Sequence, residues 1–177
     1  MRRRKAAALL AASLFLACCL GSESAWAASP RIEKLKTLLS SSLDSYRQRD
    51  LSASEMSLKR ASRLIEGAKL AGDGEFFTDP ACQGLRRQLD SFGAELQCEI
   101  AYLTFTRAQE SLAKLPTLTG EERNDLKKVL KEVVSRVRRL ELAGFDIYVE
   151  RSVPDGHRFH PFEMSKTSKN ALEELTE

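Results

Sequence analysis

The chain has 177 residues, of which 42% are hydrophobic and 30% charged, a globular mixture sized for one domain and short for two. Its formal net charge of +3 comes from the first 27 residues, where Arg2, Arg3, Arg4 and Lys5 face only Glu23. Without those five charges the chain's 28 bases and 25 acids become 24 of each, so residues 28–177 are formally neutral. That balance argues against a strongly cationic nucleic-acid binder.

Residues 1–27 have the layout of a secretory signal peptide: a cationic start, an apolar run from Ala6 to Leu20, and Ala25-Trp26-Ala27 as the small-residue cleavage site. Cleavage is expected after Ala27. The apolar run is shorter than the ~20 residues a membrane span needs, so an uncleaved anchor is disfavoured. A lipoprotein cut at Cys18 is also disfavoured, because the bulky Phe15 fits the required motif poorly. The mature chain is expected in the periplasm or outside the cell. It keeps two cysteines, Cys82 and Cys98, and an even pair in an oxidising compartment favours a disulfide. Whether they pair within or between chains stays open. On one straight helix they stand ~24 Å apart, whereas bridged Cα atoms lie within ~7 Å. An intrachain bond therefore requires a bend between them, for which Gly84 and Gly93 are the candidates.

Apolar residues then recur at helical spacing in four segments. The first starts at Ser29-Pro30, with Ile32, Leu35, Leu38, Leu39, Leu43 and Tyr46 on one face, and ends near Asp50. The second opens on Ser52-Ala-Ser-Glu55, read as a capping box, with Met56, Ala61, Leu64, Ile65 and Ala68 as its stripe. Gly72 or Gly74 stops it. The tight connection predicts an antiparallel pair. After a loop from Asp73 to Asp79, a third helical region carries Leu85, Leu89, Phe92, Leu96, Ile100 and Leu103 on towards Leu112. The fourth opens on a second capping box, Thr119 to Glu122, buries Leu126, Leu130, Val133, Val137 and Leu140, and ends at Gly144.

The period then changes. Residues 145–153 and 157–164 alternate about Pro154-Asp155-Gly156, which predicts a hairpin with a type I turn and a bulge. With Val153 opposite His157, His160 faces Glu150 and Tyr148 faces Phe162. Pro161 marks the second strand as an edge. The organisation expected is a mainly α, four-helix bundle-like domain over 28–144, a β-hairpin packed on it over 145–164, and a polar tail over 165–177, frayed or a short helix.

Chemistry-bearing motifs are sparse. His157 and His160, three apart on a strand, point to opposite faces, so no metal site is expected. No Gly-x-Ser-x-Gly turn, haem-attachment motif, phosphate loop or EF-hand spacing occurs, and neither enzyme activity nor a cofactor is expected. Two features stand out as partner-binding candidates. Lys127, Lys128, Lys131, Arg136, Arg138 and Arg139, opposed only by Glu132, make residues 127–139 locally +5. They form either a plain solvated face or a docking surface for an acidic partner, anionic lipid headgroups being the less favoured target. Phe76 and Phe77 either cap the bundle or form an exposed apolar anchor. The function expected is that of an exported interaction module acting by protein–protein contact in the cell envelope. The alternative is a bundle holding a small ligand or metal between its helices.

Overall fold

The computed structural model describes residues 29–176. The expectations for the leader, the cut after Ala27 and Cys18 lie outside the described residues. The protein is mainly helical, with a small hairpin near its C-terminus, as the sequence predicts. Helix α1 spans Pro30–Arg47, α2 Leu51–Leu70, the short α3 Gly74–Thr78, α4 Pro80–Leu112, α5 Gly120–Leu142 and α6 Pro161–Glu174. Strands β1 (Arg151–Ser152) and β2 (Arg158–Phe159) pair antiparallel.

Helices α1 and α2 are antiparallel. Arg31 at the start of α1 bonds Asp73 beyond the end of α2. Near the turn, the buried Ser42 hydroxyl donates to the Ser54 carbonyl at 2.8 Å. The turn itself puts Arg49 at φ 65, where its amide bonds Tyr46 O and Asp50 N bonds Ser45 O. This is the C-terminal motif usually assigned to glycine, here taken by an arginine. The expected box at Ser52–Glu55 does not form. Asp50 is the N-cap, accepting from Ala53 N at 2.9 Å, because it directly precedes the first helical residue. The stripe of α2 keeps Ala61, Leu64, Ile65 and Ala68 against the core and gains Ser54, Ser57 and Leu58, while Met56 lies off it at 50% exposed.

Helix α4 runs unbroken for 33 residues, about 50 Å, straight through Gly84 and Gly93. It starts cleanly because Asp79 caps Ala81 and Cys82 and Pro80 sits in its first turn. Its buried side changes midway. Leu89 and Leu96 pack with Leu35, Leu39, Leu58 and Phe76 in one core. Cys98, Ala101 and Phe105 pack with Val133, Val137, Leu140 and the hairpin in another. Leu96 and Cys98, two residues apart, project about 200° apart around the helix, and both are buried. The single stripe expected through Leu103 therefore holds only for the first half, and Leu103 is half-buried.

Helix α5 matches its sequence signals. Thr119 and Glu122 form the reciprocal box, and Leu126, Leu130, Val133, Val137 and Leu140 are buried. Gly144 ends the helix at φ 80, its amide bonding Glu141 O. A third cluster joins Ala108 of α4, Leu126 and Leu130 of α5, and Ala171 of α6. Met164 of α6 lies with the Val137–Leu140 end of α5, so α4, α5 and α6 run up, down and up.

The hairpin keeps its predicted register. Arg151 faces Phe159, and Val153 N bonds His157 O at 3.0 Å. Gly156 at φ 93 donates to Val153 O, the type I turn with a bulge. His160 Nε2 lies 4.0 Å from Glu150, and the Tyr148 and Phe162 rings are 4.9 Å apart. The strands are shorter than expected, and the second does not run to 164. Pro161 opens α6 instead, its fixed φ suiting a first helical turn as well as a sheet edge. Ser165, Ser168 and Ala171 form the buried side of that helix, so what the sequence presents as a polar tail is a packed element.

Candidate functional site

The cationic run on α5 divides into two parts. Arg136 is only 9% exposed and turns inward. Its Nε donates to Glu132 at 2.9 Å, and its Nη1 donates to Glu55 of α2 at 2.8 Å and to Gln97 of α4. Gln97 Nε2 in turn donates to Glu55 at 2.9 Å. Burial disfavours the Glu55 charge, yet hydrogen bonds from Arg136, Gln97 and Lys59 hold its carboxyl at about 2. Burial likewise works against the Arg136 cation, and Glu55 and Glu132 outweigh it, raising its pKa. The cluster is self-satisfied and ties α2, α4 and α5 together. Arg136 is therefore removed from the partner-binding candidates: a 9% exposed guanidinium held by Glu55, Glu132 and Gln97 has no free face to offer a partner.

Lys128, Lys131, Arg138 and Arg139 are exposed, and Lys127 is half-buried at the edge of the same face. Lys128 pairs with Asp125 at 2.8 Å. Among the described residues Lys127, Lys131, Arg138 and Arg139 have no ion-pair partner within 4 Å. This is the portion of the run that keeps its charge available.

The other candidates resolve differently. Phe76 is 2% exposed and belongs to the first core. Asp73 caps the one-turn helix that turns it inward, accepting from Phe76 N at 3.1 Å. Phe77 is half-buried, set edge-on to Phe76 at 5.2 Å and under the Arg86 guanidinium at 5.3 Å. The pair caps a core, and the exposed-anchor reading is corrected. Cys82 and Cys98 are both free and buried, on opposite sides of one continuous helix and in different cores. The expected intrachain disulfide is absent because the helix does not bend. Burial pushes the Cys98 thiol up to about 11 and raises Cys82 as well, so both rest as neutral thiols.

Two buried polar sites were not legible as such. Glu99 is 7% exposed and accepts from the Tyr46 hydroxyl at 2.6 Å and from Arg49 Nη1 at 3.0 Å. Burial, then Glu99, raises the Tyr46 pKa well above the usual phenol value. An acid inside the apolar run Leu96–Leu103 is the sequence signal for it. Glu55 gave no such signal, because its place near a helix start reads as a cap. Beside the Arg136 cluster, an open groove of about 920 Å³ lies between α2, α4 and the end of α5, floored by Leu58, Leu89, Ala94, Leu140 and Phe145.

No group of three or more His, Cys, Asp or Glu side chains is placed to hold a metal ion among the described residues. No described helix is long and apolar enough to cross a membrane. No protein-family model matches the chain, and neither curated proteins nor solved structures show a significant likeness to it.

Proposed function

We propose that the protein is an exported helical interaction module that acts by protein–protein contact in the cell envelope, without catalysis. The observation that carries this reading is the solvent face of α5, where Lys127, Lys131, Arg138 and Arg139 remain free of ion pairs beside the closed Arg136 network. Fixed cations on a rigid helix steer and orient an acidic partner. The export part rests on the leader-like residues 1–27 and their Ala25-Trp26-Ala27 end.

The test is a photo-crosslinking residue placed at Lys131 in the native host, with Lys36 on α1 as the control position. A protein adduct from position 131 alone, lost when Lys127→Glu and Arg138→Glu are added and the thermal melt stays unchanged, supports the reading. No adduct, or one that survives the reversal, sinks it. The groove favours a second reading, a small ligand held between helices, with apolar contact to Leu58, Leu89 and Phe145 and polar contact to Lys59, Arg63 and Arg139. Extra mass on the protein purified from its host's envelope, seen by native mass spectrometry, is the outcome that reading requires.

A further inference from the structure

The geometry of the α5 face points to the kind of partner, given the protein-contact reading above. At about 100° per residue, Lys127, Arg138, Lys131, Ser135, Lys128 and Arg139 fall within one sector about 120° wide. Leu142, 77% exposed, projects from the middle of that sector one turn beyond Arg138. From Lys127 to Leu142 the stripe is ~22 Å long. Acids bound it on both sides, Glu141 on one flank and Glu132 and Asp125 on the other, with Glu121 at its N-terminal end. The free charge thus forms a strip about one helix wide, with an apolar point at one end.

We infer that this face receives a single acidic helix, whose carboxylates meet Lys127, Lys131 and Arg138 and which lays an apolar residue over Leu142. A flat anionic bilayer fits the strip less well. It would bring negative charge against the flanking acids as well as the cations, and one exposed leucine is a weak insertion anchor. A helix is narrow enough to avoid both flanks, and its i, i+4 spacing matches that of Lys127 and Lys131.

The experiment places the photo-crosslinking residue at the exposed Ser135, mid-stripe, in the full-length protein in its host. The crosslinked peptide is then sequenced by mass spectrometry. The expected adduct is a peptide with acids three or four residues apart and an apolar residue beyond them. Its yield should fall at least tenfold with Leu142→Asp, and tenfold with Lys127→Glu plus Lys131→Glu. A protein adduct on a non-acidic segment, or one indifferent to Leu142→Asp, overturns this inference and leaves the contact function standing. A lipid adduct, or none from positions 131 and 135, overturns both.

Discussion

The two halves of α4 are the same helix put to two uses. Its first half packs one side against α1, α2 and α3, with Leu89 and Leu96 set among Leu35, Leu39, Leu58 and Phe76, while small and polar residues lie between α1 and α2. Ser42 and Ser54 share a buried hydrogen bond at 2.9 Å, and Ala61 and Ala68 are fully buried. The second half packs the opposite side against α5, the hairpin and α6, mainly through Phe105, Val133, Val137, Leu140 and Phe159. Because the cores lie on opposite sides of one helix, neither shields the other. The halves meet through polar ties instead: Arg136 with Glu55 and Gln97, and on another side of α4 Arg49 and Tyr46 with Glu99. Apolar packing builds each half, and charge joins them.

The strongest way to break that division is Arg136→Ala. It removes the buried cation from a half-buried Glu55, which keeps Lys59 and Gln97, and should cost about 2–3 kcal/mol, the worth of hydrogen bonds to a charged group. Hydrogen exchange should show α1 and α2 losing protection before α5, and equal loss everywhere would refute a joint between halves. The pair Glu55→Leu with Arg136→Met should recover much of that stability, because apolar side chains of similar volume remove both charges together.

A smaller effect is expected in the second half. The Ser168 hydroxyl is buried with no hydrogen-bond partner. Ser168→Ala should therefore stabilise by roughly 1 kcal/mol, read as a rise in Tm. Destabilisation would show that this hydroxyl does have a partner.

Acid and base separate the ties. The Glu55 carboxyl lies below its ordinary value, so its stabilisation is complete above about pH 4.5 and is lost as the pH falls towards 2. The Tyr46 phenol is raised, so its contribution holds below about pH 10 and declines as the pH rises above that. Arg136→Ala should flatten the acid limb, and Tyr46→Phe the alkaline one. The subtlest signal concerns the thiols. Both should react with a thiol reagent only on unfolding, and reduction should leave the mass unchanged. A loss of two mass units on oxidation in the folded state would contradict a continuous α4.

Local chemistry was legible where a residue's role is settled by its neighbours in sequence. Thr119 and Glu122, Gly72, Gly144 and the turn at Pro154–Gly156 all do what their spacing predicts. The α5 stripe was equally plain, because its leucines and valines gather on one side, with Leu142 in the last turn the exception. Legibility failed where long-range partners decide. Ser165, Ser168 and Ala171 look like a solvated tail until α5 covers them, and Arg136 looks like its exposed neighbours until Glu55 meets it. The intrachain disulfide is absent for a related reason. Compartment favours pairing, but one continuous helix holds the two cysteines on opposite sides. Of the candidate site, the cationic face of α5 was readable as a run of charges. Its division into a closed network and an open strip was not.

The Arg136–Glu55 bond joins residues 81 positions apart. A ribosome releases α2 long before it reaches α5, and a translocating chain emerges in the same order. Glu55 has Lys59 one turn away as a first counter-ion, but it waits through 81 further residues of synthesis for Arg136, so the tie between the halves closes only when the last-made half arrives.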